Sequence, residues 1–195
     1  MSKDRLWTNA WVLYSVIAIL LVGLVVSGYF LLDRPVTTVI LVRHAEKNIE
    51  PSNPNPALTS AGQARANTLI HLLGQTGITT IYVTQYIRAQ ETARPLADRL
   101  GLKMNQIDSK DPQEVVKQIK SAHAGGVIFV AGHNNTVPAI IAGLGGGTFP
   151  LIPENEYDNM FVVTIYRSGK AKTLKLKYGE PSPNATGSPP KTMTQ

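Results

Sequence analysis

Four residues in the sequence have side chains that can handle a phosphate group, namely Arg43, His44, Arg88 and His133. Arginine presents a planar fork of N–H donors that matches phosphate oxygens, and it does not deprotonate in proteins. A neutral imidazole can attack phosphorus, which forms a phosphohistidine and divides one difficult displacement into two easier ones. These residue types together indicate phosphoryl transfer, provided that the fold brings them together.

Strands and helices alternate along the part of the chain that carries these residues. Apolar and β-branched runs predict strands over residues 37–42, 79–84 and 127–131, and a final hairpin over residues 161–166 and 173–178. The segments between the first three strands and before the hairpin predict helices. This alternation predicts an α/β fold with three α/β/α layers, a mostly parallel sheet and an antiparallel edge hairpin.

The predicted topology also locates the site. In open α/β sheets, ligands bind outside the carboxyl ends of the strands. The residues just after Val42, Thr84 and Ala131 are therefore expected to line one crevice, and the two arginines and two histidines above are among them.

Several local signals predict where the helices begin and end. Ser60 and Gln63 have the spacing of a capping box, with Ser60 as the N-cap. Pro95 is expected to kink or locally break a helix that Gly101 terminates. Asp111 is expected to cap the next helix at its N-terminus.

Composition excludes several classes of chemistry. The chain has no cysteine, so disulfides and thiolate sites are absent. Arginines beside the two histidines would repel a cation, so no metal is expected, and no cofactor-binding motif is present. The net charge of +6 is scattered, which does not favour a nucleic-acid partner. The other two histidines, His71 and His123, are expected to be structural or surface residues.

The segment LVRHAEK at residues 41–47 resembles the signature of the histidine phosphatase superfamily, which includes the phosphoglycerate mutases. Residues 58–63, 88–93 and 132–134 are similar to later blocks of that family and follow in the same order. The resemblance implies that His44 is the nucleophile, that Arg43 and Arg88 bind the phosphate, and that His133 donates to its oxygens. Asn135 is either a further phosphate donor or the N-cap of its helix.

A phosphomonoester also needs a general acid for its leaving group. The family often places one directly after the second histidine, where this chain has Asn134, or after the second arginine. The candidates that remain are four acidic residues: Asp108, Asp111, Glu114 and Glu156. Helix capping is a sufficient alternative explanation for Asp111 and Glu114.

The short region after Arg88 resembles the small phosphatases of the family more than the mutases, which carry longer insertions there. The leading hypothesis is a phosphatase that acts on a phosphomonoester or a phosphoramidate, with a small phosphorylated molecule or a phosphoprotein as substrate. The alternatives are a mutase-like phosphotransferase and a phosphate-binding domain without catalysis.

Residues 10–32 contain no charge and are long enough to cross a bilayer. We expect a transmembrane signal anchor after a short cytoplasmic segment (residues 1–9), because Lys3 and Arg5 precede it. The catalytic domain (33–178) is then expected outside the cytoplasm. A cleaved signal peptide, ending near residues 26–28, and a buried core helix are the alternatives.

The last residues, 179–195, are rich in proline, serine, threonine and glycine and are expected to be disordered. Asn184 begins a glycosylation sequon, which matters only in a eukaryotic secretory pathway.

Overall fold

The computed structural model describes residues 3–32, 35–122 and 125–182. The helices are α1 (Lys3–Leu32), α2 (Ser60–Leu73), α3 (Ile87–Leu100), α4 (Pro112–Ala122) and α5 (Thr136–Gly143). The strands are β1 (Pro35–Arg43), β2 (Ile78–Thr84), β3 (Met104–Ile107), β4 (Val127–Gly132), β5 (Asn159–Tyr166) and β6 (Ala171–Lys177).

The six strands form one mixed sheet in the order β3-β2-β4-β1-β5-β6. Strands β1 to β4 are parallel, whereas β5 runs antiparallel to β1 and β6 antiparallel to β5. The predicted parallel sheet with an antiparallel edge hairpin is therefore confirmed. Strand β3 was not predicted, because its sequence, MNQI, is short and lacks an apolar run.

Each face of the sheet is covered by helices, and β1 shows why. Its residues alternate between two buried apolar clusters: Val39 and Leu41 belong to one, Ile40 and Val42 to the other. The first cluster includes residues of α4 and α5, and the second includes residues of α2 and α3. A strand buried on both faces reads as a continuous apolar run, which is how the sequence of β1 was recognised.

Two of the predicted helix signals need correction. The N-cap of α2 is Thr59 and not Ser60, since the Thr59 hydroxyl accepts a hydrogen bond from the Gly62 N–H at 3.1 Å. Helix α3 is not broken at Pro95, because its buried face, which includes Leu96, packs into the core on both sides of the proline. By contrast, Gly101 ends α3 in the left-handed conformation, at φ 66°.

Helix α1 is apolar over Trp11–Leu31, 21 residues with a mean hydropathy of 2.4. Its described side chains are exposed, so the alternative of a buried core helix is wrong. By length and composition this helix is able to act as a signal anchor or a membrane span. His123 and the sequon at Asn184 lie outside the described residues, as does the tail after Ser182.

Candidate active site

The carboxyl ends of β1, β2 and β4 surround a pocket of about 530 Å³. The structure brings the four residues of the phosphate hypothesis together in its wall, with Asn135 beside them. The residues that line the pocket and enter the chemistry discussed below are Arg43, His44, Tyr86, Arg88, His133, Asn134, Asn135 and Glu154.

His44 is buried and held in one tautomer. Its Nδ1 lies 2.8 Å from the carbonyl oxygen of Ala45 and must donate to it, because a carbonyl oxygen only accepts. The other ring nitrogen, Nε2, is then left with its lone pair when the ring is neutral. Burial, with smaller contributions from Arg43 and His133, lowers the pKa of His44 from 6.5 to about 2. The ring is therefore uncharged at neutral pH, as a nucleophile requires.

Thr92 connects the segment after β1 to helix α3. Its hydroxyl accepts from the Ala45 N–H at 2.9 Å and donates to the carbonyl oxygen of Arg88 at 2.7 Å. The His44 N–H donates to the carbonyl oxygen of Gly132, at the end of β4, at 2.9 Å. These three bonds tie the segment that carries His44 to both neighbouring chain segments that carry pocket residues.

Arg43 is 1% exposed and anchors the loop before β5. Its Nη1 donates to the carbonyl oxygens of Pro153 and Glu156, and its Nη2 donates to the Glu154 carboxylate at 2.7 Å. The guanidinium carbon lies 4.5 Å from the centre of the Tyr157 ring. Its Nε is buried and has no hydrogen-bond partner among the described residues.

Arg88 packs against an aromatic ring in the same way, with its guanidinium carbon 4.2 Å from the centre of the Tyr86 ring. Its Nε and one terminal nitrogen, Nη1, are buried without a partner among the described residues. A buried N–H that lacks a partner costs about 1–3 kcal/mol, and more on a charged group. Three such groups on two arginines of one pocket therefore favour the binding of an anion.

His133 completes the group and is also neutral. Its Nε2 lies 2.8 Å from the Thr84 hydroxyl, and its ring centre is 5.3 Å from that of His44. Burial, with smaller contributions from Arg88 and Arg43, lowers the pKa of His133 from 6.5 to about 4.

Asn135 is the N-cap of α5, which was one of its two predicted roles, and its side chain is also part of the pocket wall. Its side-chain oxygen accepts from the Thr136 N–H at 2.9 Å, so it caps α5, and it also lines the pocket. Its roles in capping and in the pocket wall are compatible, because α5 begins at the pocket.

The structure places none of the four candidate acids in the pocket lining. Asp111 caps α4 by accepting from the N–H groups of Gln113 and Glu114. Asp108 accepts from the Lys110 N–H and lines a separate cavity.

The other two acids, Glu114 and Glu156, form hydrogen bonds with side chains that do not line the pocket. The Glu114 carboxylate accepts from the Gln118 amide. The Glu156 carboxylate accepts from Asn159, and that bond together with Lys177 lowers the pKa of Glu156, which opposes a role as proton donor.

Glu154 lines the pocket instead, and the sequence analysis did not select it. One carboxylate oxygen accepts from Arg43, and the other accepts from the Asn134 amide at 2.6 Å. Strand β5 runs antiparallel to β1, so the loop before it lies at the carboxyl ends of the parallel strands. The predicted antiparallel hairpin could therefore have indicated that this loop, with Glu154 and with Tyr157, whose ring packs against Arg43, reaches the pocket.

Other residues of the family-like segments support the pocket from outside. Arg65 forms a bidentate ion pair with Glu46, and the Leu58 N–H donates to the Glu91 carboxylate at 2.7 Å. A Cβ at Gly62 would collide with the carbonyl oxygen of Glu46. The block at residues 58–63 therefore packs against the segment that follows His44. Among the described residues, no group of three or more His, Cys, Asp or Glu is placed to hold a metal ion.

The α/β domain thus holds two neutral histidines, the buried Arg43 and the partly buried Arg88 together at the carboxyl edge of its sheet. The model of the histidine phosphatase superfamily (branch 1) matches residues 39–109. Over this stretch, which carries Arg43, His44 and Arg88, the chain is similar to the histidine phosphatase superfamily.

Solved structures share the fold. The protein histidine phosphatase SixA, complexed with tungstate, is 20% identical with a TM-score of 0.58, over 72% of this chain and 96% of SixA. The mycobacterial glucosyl-3-phosphoglycerate phosphatase is 12% identical with a TM-score of 0.57, over 74% of this chain and 99% of its own. No curated protein matches the chain by sequence.

Proposed function

We propose that the chain is a phosphatase that forms a phosphohistidine on His44. The observation that carries the proposal is the set of three unpartnered, buried N–H groups on Arg43 and Arg88 beside a neutral imidazole. Cationic donors arranged around a phosphoryl group stabilise the charge on its equatorial oxygens in the transition state.

The first step transfers the phosphoryl group to the enzyme. Nε2 of His44 attacks phosphorus with its lone pair, the bond from phosphorus to the leaving group breaks, and the leaving group keeps that electron pair. The Ala45 carbonyl accepts from Nδ1–H and so stabilises the positive charge that the phosphorylated ring acquires.

The second step regenerates the enzyme. Water attacks phosphorus, the bond between phosphorus and Nε2 breaks, and inorganic phosphate leaves with the oxygen from water. His44 recovers its lone pair, and its lowered pKa keeps the ring unprotonated for the next cycle.

The substrate class follows from the acid in the pocket. The two carboxylate oxygens of Glu154 accept from Arg43 and Asn134, so neither is placed to deliver a proton to a leaving group. A leaving group that needs little protonation is therefore favoured: the imidazole of a phosphoramidate, or an alcohol of low pKa. SixA, one of the proteins of similar fold, is named as a protein histidine phosphatase.

The proposal includes a membrane anchor, with the N-terminus in the cytoplasm and the domain after α1 outside it. Helix α1 supports this by its length and hydropathy, and Lys3 and Arg5 support the orientation. A C-terminal reporter that works only in the cytoplasm should stay silent, and a strong signal would reverse the orientation. Loss of the first residues from the mature protein would show cleavage instead.

The activity is tested on the full chain in detergent, with an aryl phosphate and with phosphohistidine as substrates. His44→Ala should abolish phosphate release from both. His71→Ala is the matched control, since His71 lies on the exposed face of α2, and it should keep full activity. Unchanged release by His44→Ala would overturn the proposal. Phosphate binding without any turnover would identify a binding domain instead.

A further inference from the structure

The end of the domain at which β1 begins carries an excess of positive charge. The hairpin between β5 and β6 lies there, because Pro35 pairs with Tyr166 at the start of β1. Its turn and the first part of β6 expose three basic side chains, Arg167, Lys170 and Lys172. None of the three forms an ion pair with another described residue.

Other basic residues at the same end have a local explanation. Arg99 and Lys120 lie in the last turns of α3 and α4, where a cation complements the helix dipole. Lys120 also donates to the carbonyl oxygen of Gly143. The hairpin cations have no helix to complement, so this explanation does not cover them.

The acidic side chains lie almost entirely at the other end. Within the described domain, Asp98 in the last turn of α3 is the one acid near the start of β1. The others are near the pocket end of the sheet: in the segments that follow β1, β3 and β6, in the N-terminal halves of α3 and α4, or in the loop before β5. The domain is therefore electrically polar along the direction of β1.

The membrane anchor joins the domain at the basic end. Residues 33 and 34 alone separate Leu32, the end of α1, from Pro35, the start of β1. Even a fully extended connection of this length spans only roughly 11 Å. A bilayer that contains α1 would therefore lie close to the hairpin.

We infer that this basic end, defined by Arg167, Lys170 and Lys172, lies against an anionic bilayer surface, so that the catalytic pocket faces the aqueous phase. The inference rests on the proposed membrane anchoring. Cationic side chains near an anionic bilayer are attracted within about one Debye length, ~8 Å at physiological salt. The nine residues of β1 then place Arg43 about 26 Å further out, at roughly 3.3 Å per residue. The substrate must accordingly be a phosphorylated group that reaches the pocket from solution, and not the headgroup of a lipid in the same bilayer.

The absence of cysteine permits a direct test with single labels on the full chain. Ser168→Cys places a fluorophore at the hairpin turn, and Ser52→Cys places one in the exposed loop after β1, at the pocket end. Each protein is reconstituted in lipid nanodiscs that contain phosphatidylcholine with or without phosphatidylglycerol. Quenching by a headgroup spin-labelled lipid reports which end is near the bilayer.

We expect the label at residue 168 to be quenched in discs with phosphatidylglycerol, and the label at residue 52 to remain unquenched. Neutralising the hairpin with R167Q, K170Q and K172Q together should reduce the quenching of the label at residue 168 to its level in discs without phosphatidylglycerol, whereas K175Q, nearer the pocket end, should leave it unchanged. Thermal unfolding of each variant verifies that it is folded. Soluble aryl phosphate should be hydrolysed at an unchanged rate, and phosphatidic acid in the same disc should not be hydrolysed.

Equal quenching of the two labels, or stronger quenching at residue 52, would overturn the inference, as would hydrolysis of phosphatidic acid. If the chain fails to enter the discs at all, the anchoring proposal and this inference both fall. If the labels behave as expected but no substrate is hydrolysed, the catalytic proposal alone fails.

Discussion

Replacing Glu154 by Gln should strengthen the binding of inorganic phosphate. The Glu154 carboxylate accepts from Arg43 Nη2 at 2.7 Å and from Asn134 at 2.6 Å, so it occupies donors that line the pocket. A phosphate that takes the same Arg43 nitrogen must displace this carboxylate. Glutamine keeps an oxygen acceptor of the same reach but removes the negative charge.

The size of the effect follows from the exposure of the pair. The Arg43 side chain is 2% exposed, but that of Glu154 is 72% exposed, so solvent screens the interaction. An ion pair of this kind contributes up to about 1 kcal/mol. Removing that competition corresponds to about a fivefold decrease in the Kd for phosphate, at 1.4 kcal/mol per tenfold.

Isothermal titration of the full chain with inorganic phosphate measures the effect. Glu156→Gln is the matched control, because it removes the same charge from the same loop. Its carboxylate is bonded to Asn159 and Lys177 and does not line the pocket, so its Kd should stay within about twofold of the wild type.

Two results would refute the reasoning about Glu154. If Glu154→Gln binds phosphate no more tightly than Glu156→Gln, the carboxylate does not compete with the anion. If Glu154→Gln instead lowers kcat for an alkyl phosphate and spares an aryl phosphate, Glu154 is the proton donor for the leaving group.

Three further predictions concern the packing of Arg88, the segment that follows His44, and the dependence of stability on pH. Tyr86→Ala should lower kcat/KM about three- to tenfold by removing the ring that packs on Arg88, whereas Tyr86→Phe should stay near wild type; steady-state kinetics measures both, and an equal loss in the two variants would show that the ring is not the cause. Thr92→Val removes the hydroxyl between Ala45 N–H and Arg88 and should cost about 1–3 kcal/mol of unfolding free energy, which Thr92→Ser should largely retain; denaturant unfolding compares them, and a neutral valine variant would contradict the assigned bonds. His44 and His133 have pKa values lowered to about 2 and about 4, so below pH 6.5 the unfolded chain binds protons that the folded chain does not. The contribution of the two neutral histidines to the free energy of unfolding is complete above pH 6.5. It is lost as the pH falls toward the lowered pKa values, by about 1.4 kcal/mol per pH unit for each histidine. The H44N/H133N double variant should therefore lose less stability than the wild type between pH 7 and pH 5, and equal losses would contradict the burial argument.

The sequence was sufficient to predict the parallel part of the sheet and the meeting of the site residues. Strand β1 is buried on both faces, so its apolar run is continuous and its ends are well marked. Once the strands were known, the rule for the carboxyl ends of parallel strands placed Arg43, Arg88 and His133 around one crevice.

The features that the sequence did not predict depend on contacts between distant segments. Strand β3 has two exposed residues in four and forms through pairing with β2. Glu154 is in a loop without periodicity, and its position follows from the antiparallel direction of β5. Threonine and serine are both good N-caps, so the sequence does not distinguish Thr59 from Ser60. Thr59 is the N-cap because its N–H and hydroxyl donate to the carbonyl oxygen of Glu46, a contact between distant segments.

The covalent intermediate on His44 is the most direct test of the proposed mechanism. The full chain is mixed with an aryl phosphate, denatured within one turnover under alkaline conditions that preserve phosphohistidine, and digested for mass spectrometry. The mechanism predicts one phosphoryl group on the peptide that contains His44, with none in His44→Ala. A phosphoryl group on His133 instead, or release of phosphate with no labelled peptide at any time, would contradict it.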